Sequence, residues 1–147
     1  MTPDSKGCEY IPKSQIDETL KTAPTDGKKS LEPFKSFAAA HKLPFIVLED
    51  SNVKNLFELH RHEADLWLCL EGEVTFTYGG EMIDAKPKDL GNGKFDEREW
   101  KSKEAVGAVS QVLRPGDWLY IPAHAPHKHD CAGTARLIII KIPQAAK

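Results

Sequence analysis

The chain has 147 residues, of which 40% are hydrophobic and 29% are charged, and its formal net charge is −2. These values are typical of one globular domain, and so small a net charge gives no reason to expect a nucleic acid or an anionic membrane as a partner. No apolar run approaches the roughly 18 residues that span a bilayer, and the N-terminus lacks the apolar core of a signal peptide, so we expect a cytoplasmic protein.

Residues 1–44 are predicted to form an N-terminal extension with two short helices. Ser14 is a suitable N-cap for the first helix, because acidic residues follow it in the first turn. Pro24 and Gly27 come soon afterwards and keep this helix short. The run Ser30-Leu31-Glu32-Pro33 opens the second candidate helix.

From residue 45 to residue 147 the pattern changes to short strands separated by turn signals. Val74–Tyr78 and Glu81–Ile83 are predicted to form a β-hairpin, because Gly79 and Gly80 supply the positive φ angles of a tight turn. A β-branched run from Arg136 to Ile142 closes the series. Many short strands with turns every eight to twelve residues predict an all-β sandwich or barrel, so this range is assigned to one barrel domain.

The segment 85–110 is predicted to be a long inserted loop. Eleven of its 26 residues carry charge, and Pro87, Gly91 and Gly93 break any period. Loops of this length are functional covers or loosely ordered insertions. Two interpretations therefore stay open: a lid over a site, or an insertion or interface element.

Five of the six histidines lie in two short runs, at 60–62 and 124–129. Leu56 to His62 alternates in character, and alternate side chains of a strand point to the same face. His60 and His62 are therefore expected to project together. Imidazole is a good ligand for zinc, copper, iron and nickel, so this pair indicates a metal centre.

The spacing of these residues resembles the two motifs of the cupins, which are small jelly-roll barrels with a metal site inside the barrel. The first motif is His-x-His, a short gap, an acidic residue, six residues and Gly, and the second is Gly, five residues, Pro, x, Gly, two residues, His, three residues and Asn. The matching positions in this sequence are His60, His62, Asp65 and Gly72 for the first motif, and Gly116, Pro122, His124, His127 and Cys131 for the second.

The resemblance implies a cupin double-stranded β-helix over about residues 45–143 and one divalent transition metal, which would be Fe, Mn, Ni or Zn. It implies His60, His62 and His127 as metal ligands, with Asp65 as the fourth. Asp65 stands where most cupins have Glu, after a gap two residues shorter than the commonest form. His124 replaces the usual Gly, and Cys131 replaces Asn.

Further side chains are expected around the same cavity. Trp67 and Cys69 share the face of Asp65 by alternation, so both are candidates for lining the site. His129 is a candidate for contacting a bound molecule. Candidates for catalytic proton transfer are His124, Glu58 and Tyr120.

Three functions fit this sequence. The first is a metal-dependent enzyme that acts on a small polar metabolite by isomerase, lyase or dioxygenase type chemistry. The second is a non-catalytic barrel that binds or senses a small, sugar-like molecule. The third is a structural or partner-binding protein that works through the segment 85–110. The resemblance also implies a homodimer, because cupins often pair through sheet edges or terminal strands.

Overall fold

The structure is a computed structural model that describes residues 4–145. Its described part is built almost entirely from antiparallel strands, with two short helices before the first long strand. The elements are α1 (Lys13–Thr19), β1 (Gly27–Ser30), α2 (Phe34–Ala40), β2 (Phe45–Val53), β3 (Phe57–His60), β4 (Glu63–Glu71), β5 (Val74–Tyr78), β6 (Glu81–Ile83), β7 (Lys86–Gly91), β8 (Lys94–Ser102), β9 (Glu104–Val106), β10 (Val109–Leu113), β11 (Trp118–Ile121) and β12 (His127–Pro143).

The 17-residue strand β12 belongs to two sheets. Its first residues pair with β3 and β5, in a sheet whose order is β10-β5-β12-β3-β8-β7. A register shift between Cys131 and Thr134 bends the strand, since a bulge adds an unpaired residue and increases the local twist. The remainder pairs with β2 and β4, in a sheet whose order is β1-β2-β12-β4-β11. The predicted all-β jelly-roll class with short N-terminal helices is confirmed.

Two apolar clusters hold these layers together. The larger cluster includes Trp67, Phe76 and Leu137, which come from both sheets. The smaller cluster packs α2 against β2 through Phe34 and Val47. β2 therefore buries apolar side chains on both of its faces, and its sequence Phe-Ile-Val-Leu is continuous and not alternating for this reason.

A buried ion pair attaches the N-terminal region to the sheet. Arg136 on β12 donates from Nε to Glu49 Oε1 at 2.9 Å and from Nη1 to Glu71 Oε2 at 3.0 Å. The same guanidinium donates to the main-chain oxygens of Leu20 and Thr22, just after α1. The two predicted helices are present, although α1 begins at Lys13, one residue before the predicted cap Ser14, and no side chain caps it.

The segment 85–110 is not a loop. It forms β7, β8 and β9 and the start of β10, and β8 pairs with β3 from Phe57↔Ser102 to His60↔Glu99. Its residues are mostly exposed or half-buried, so the charges that argued against a core position lie on the outside of a sheet. The prediction failed because β8 is stabilised by pairing with a distant strand, which leaves no local apolar period to detect.

The predicted hairpin around Gly79 and Gly80 is also wrong. β5 pairs with β10 and β12, whereas β6 leaves that sheet and pairs with β9. Gly80 has a φ of +70°, and a Cβ atom there would collide with the carbonyl oxygen of Val106. The glycines therefore permit a change of sheet and a close backbone approach. Neither helix within residues 4–145 is long and apolar enough to cross a membrane.

Candidate metal centre

Four polar side chains from three strands meet where the two sheets share β12. β3 contributes Glu58 and His60, which strand alternation places on one face. β4 contributes Asp65, and β12 contributes His127, which is directly opposite Glu58 in the β3–β12 register. We call these four residues the donor ring.

The donor ring closes through four similar distances. His60 Nε2 lies 3.7 Å from Glu58 Oε1 and 3.5 Å from Asp65 Oδ2. His127 Nε2 lies 3.6 Å and 3.4 Å from the same two oxygens. These separations are too long for good hydrogen bonds. Ligands at the corners of a tetrahedron, with bonds of about 2.0–2.2 Å to a central ion, are about 3.3–3.6 Å apart, so the ring has the size of a metal site.

Three of the four ring atoms are buried and have no hydrogen-bond partner: His60 Nε2, Asp65 Oδ2 and His127 Nε2. Buried polar atoms are nearly always paired. The other polar atoms of two of these residues are paired, because His127 Nδ1 donates to the Ala125 carbonyl oxygen at 3.0 Å and Asp65 Oδ1 accepts from Lys141 at 2.8 Å. A histidine held this way through its second nitrogen is the usual arrangement of a metal ligand. The residues therefore fit a divalent ion.

The carboxylates and the imidazoles of the ring stabilise each other's charged forms. Burial alone would raise the pKa of the Asp65 carboxyl, but contacts with His127, His60 and Lys141 hold it well below its usual range. The pKa of Glu58 is likewise lowered against the effect of burial, chiefly by His127. Burial would lower the pKa of His127, but Asp65 and Glu58 raise it to about 9. The carboxylates are therefore ionised at neutral pH, and an ion would bind by displacing a proton from His127.

A cavity of about 390 Å³ lies against the donor ring at His60. This volume falls within the range of small-molecule sites. Three of its lining residues come from β8, so the segment 85–110, which was interpreted either as a lid or as an insertion or interface element, supplies a wall of ordered strand. The lining residues are His60, His62, Glu63, Asp96, Arg98, Glu99 and Lys141.

His62 lies outside the donor ring. β3 ends at His60, and residues 61 and 62 form a bend before β4 begins. Alternation therefore stops before His62, whose exposed side chain lines the cavity instead. Glu58 takes the ring position expected of His62. The shortened gap before Asp65 was the sequence signal for this difference. When the motif is counted from Glu58 and His60 instead of His60 and His62, the gap to Asp65 regains the two residues that it otherwise lacks.

The other two predicted catalytic residues are not in the ring. Tyr120 is 50% exposed, and its hydroxyl oxygen accepts a hydrogen bond from Gln144 Nε2 at 2.8 Å. His124 is in the turn before β12, where its backbone N–H donates to the His60 carbonyl oxygen at 2.8 Å. Its φ of +70° is in the region that glycine prefers, which explains why the motif usually has Gly here.

The predicted lining residues Trp67, Cys69 and His129 are buried in the barrel. Trp67 and Cys69 belong to the larger apolar cluster, and the Cys69 thiol lies within 3.6 Å of the Glu71 carbonyl oxygen. His129 contacts the Trp67 ring, with a centroid distance of 5.1 Å, and pairs with Asp50 through Nδ1 at 2.5 Å. Neither Cys69 nor His129 belongs to the groups of potential ligands found among the described residues.

Solved structures similar to this chain are proteins of different activities. Oxalate oxidase is 15% identical with a TM-score of 0.49, and the match covers 88% of this chain and 59% of that one. Fe(II)-HppE with the alternative substrate (S)-1-HPP is 17% identical with a TM-score of 0.44, covering 67% of this chain and 41% of that one. Drosophila melanogaster CENP-C bound to CAL1 is 17% identical with a TM-score of 0.43, covering 67% and 60%. The chain thus spans less than two thirds of the length of each.

The fold of the described residues is an antiparallel two-sheet barrel of the jelly-roll type. In this barrel Asp65, the acidic residue of the first motif, and His127, the histidine of the second, lie 3.4 Å apart between Oδ2 and Nε2. No family model matches the chain, and no curated protein matches it. A fold does not by itself determine an activity, so the function has to be argued from the site.

Proposed function

We propose that the protein is a metal-dependent enzyme that acts on a small polar metabolite. The observation that carries the proposal is the donor ring, in which three buried atoms without hydrogen-bond partners and one further carboxylate oxygen lie 3.4 to 3.7 Å from their neighbours in the ring. Two imidazoles and two carboxylates suit one divalent ion among Fe, Mn, Ni and Zn. When bound, such an ion supplies polarisation of a substrate oxygen.

The cavity residues define what the chain itself contributes. Its lining is polar and carries both signs of charge, which suits a metabolite with several oxygen atoms. Glu58 is committed to the ring and Asp96 is paired with Arg98. Glu99, and Glu63 beside Lys141, are the remaining cavity carboxylates that could hold or move a proton. Isomerase, lyase and dioxygenase type reactions are all compatible with this set.

Metal content tests the ring directly. We expect about one transition-metal ion per chain in untagged protein, measured by elemental analysis, and strong loss of metal in His60→Ala, His127→Ala and Glu58→Gln. His62→Ala is the matched control, because this histidine lines the same cavity outside the ring and should keep its metal. Metal-free wild-type protein after reconstitution, or equal loss in the His62 variant, would contradict the proposal.

A measurement of turnover distinguishes an enzyme from a binding protein. Metal-loaded protein should be assayed with sugar acids and keto acids and for oxygen uptake, beside the metal-poor His127→Ala variant. Activity that disappears with the metal supports the enzyme. The alternative is a barrel that binds or senses a small sugar-like molecule, and metal-dependent binding without turnover of any ligand would favour it.

The assembly and location of the protein stay predictions. We expect a homodimer, which size-exclusion chromatography with light scattering measures, and a cytoplasmic location, which fractionation of the source cells measures. A partner that binds a metal-free protein through residues 85–110 would favour the structural function instead.

A further inference from the structure

Two overlapping groups of potential ligands share His60. One group consists of Glu58, His60 and His127, and belongs to the donor ring. The other consists of His60, Glu63 and Asp65, and we call it the outer position. The outer position therefore shares both His60 and Asp65 with the donor ring.

A lysine already occupies the outer position. Lys141 Nζ lies 2.8 Å from Asp65 Oδ1 and 3.4 Å from Glu63 Oε1. In the β4–β12 register, Lys141 is directly opposite Asp65. The pairing of the two strands therefore places the ammonium group at the outer position. Asp65 is only 1% exposed, and a buried carboxylate holds a cation more firmly than an exposed one.

Lys141 also determines which oxygen atom of Asp65 is available to bind a metal ion. Oδ1 is taken by the ammonium, whereas Oδ2 is buried, lacks a hydrogen-bond partner and faces His60 and His127.

We propose that Lys141 is a positioning residue that fills the outer position as a built-in cation and directs the metal ion to the donor ring. Glu63 is then a partner of the lysine and not a metal ligand, although its carboxylate lies close enough to His60 and Asp65 to be one. This inference rests on the proposed metal function and assigns a role to two residues outside the ring.

The test measures Co(II) affinity by competition with a chelator, with the visible spectrum of bound Co(II) as a second readout. In the presence of Lys141, Glu58→Gln should weaken Co(II) binding at least about 100-fold, whereas Glu63→Gln should change it by less than about threefold. In a Lys141→Met background the outer position is open, so Glu63→Gln should weaken binding about tenfold or more and alter the spectrum.

Two controls keep the result interpretable. Lys141→Arg retains the positive charge, so Glu63→Gln should change the Co(II) affinity of this variant very little. Lys128→Met removes another half-buried lysine of β12, paired with Asp130 at 3.2 Å away from the ring, and should also leave Glu63→Gln silent. Thermal melting of each variant confirms that it is folded.

The inference is overturned if Glu63→Gln weakens Co(II) binding as much as Glu58→Gln while Lys141 is present, or if Glu63→Gln stays silent in the Lys141→Met background. Either result leaves the proposed function intact, since the wild-type protein still binds Co(II). Wild-type protein that binds no Co(II) overturns the proposed function and this inference together.

Discussion

The three cysteines occupy two kinds of environment. Cys8 is exposed, whereas Cys69 and Cys131 are buried in the barrel core. Burial is the main cause that raises the pKa of Cys69 to about 11, and it raises the pKa of Cys131 as well. Because the thiolate is the reactive form, the two core thiols should be inert at neutral pH.

Alkylation tests this difference. At pH 8 only about one Cys69 in a thousand is ionised, so native protein treated with iodoacetamide should acquire one label, at Cys8. The other two cysteines should react only after unfolding, as followed by mass spectrometry. Cys8→Ser should remove the native label. Fast labelling of Cys69 in folded protein would instead support the role beside the metal that the sequence suggested.

His124 adopts a backbone conformation that costs free energy for any residue with a Cβ atom. Its φ is +70°, and a non-glycine residue in this region costs about 1–2 kcal/mol. His124→Gly and His124→Ala both remove the imidazole, so the difference between them isolates the backbone. We expect the Gly variant to be more stable than the Ala variant by about 1 kcal/mol in urea unfolding. Equal stability would show that the turn relaxes to a different conformation.

The residues of the donor ring were only partly predictable. His60, Asp65 and His127 could be selected because their residue types and spacing follow a motif. Glu58 was predicted as a candidate for proton transfer and not as a ligand, and His62 was preferred because it completes the His-x-His motif. His62 lies outside the ring because β3 ends at His60. This end depends on the bend at residues 61 and 62, and the alternation of residue types does not reveal it.

At the scale of elements, β12 and its partners hold the N-terminal region in place. Arg136 is 6% exposed and faces Glu49, which is 0% exposed. The same guanidinium reaches two main-chain oxygens after α1. Removing the arginine would therefore leave the buried Glu49 carboxylate with the main-chain N–H of Thr25 at 3.2 Å and the more distant Lys29 at 3.7 Å.

We predict that Arg136→Met lowers the free energy of unfolding by about 3–5 kcal/mol, as for other broken buried ion pairs. Urea denaturation measures the change. Arg114→Met is a matched control, because Arg114 pairs with Glu73 at 3.2 Å on the surface and should cost less than about 1 kcal/mol. Adding Glu49→Gln should restore part of the lost stability, and a double variant as unstable as Arg136→Met would argue against the ion pair.

Elements were predictable where their stability is local and were missed where it comes from distant pairing. The two helices were predictable from nearby Pro and Gly residues, although Ser14 does not cap the first one, and the β-branched run of β12 is typical of a strand. β8 has no such signal, since its nine residues are mainly charged and become a strand only against β3. A charge-rich segment can therefore form the wall of a site and resemble a loop in sequence.

At the scale of the whole molecule, the donor ring joins both sheets, so an ion bound there should stabilise the entire barrel. Ligand at about 100 times its dissociation constant adds about 2.7 kcal/mol, which for a chain of this size corresponds to about 5–10 °C in Tm. Differential scanning calorimetry with and without a chelator should show this shift. His127→Ala should melt at the same temperature in both conditions, and an equal shift in this variant would place the ion elsewhere.

The all-β class was predictable at this scale from composition and turn spacing, whereas the shared use of β12 by two sheets was not. The bend between Cys131 and Thr134 depends on how two sheets close around a common core, and many sequences with similar strands need no such bend.

The division of the donor ring along the chain has a consequence for how the protein is made. Glu58, His60 and Asp65 leave the ribosome about 60 residues ahead of His127, which at ordinary elongation rates is a delay of several seconds. During that interval the nascent polypeptide holds an incomplete set of ligands and no closed barrel around them. Under the proposed function, metal loading would therefore follow translation and folding, and the finished protein would select its metal from the ions that the cell then supplies.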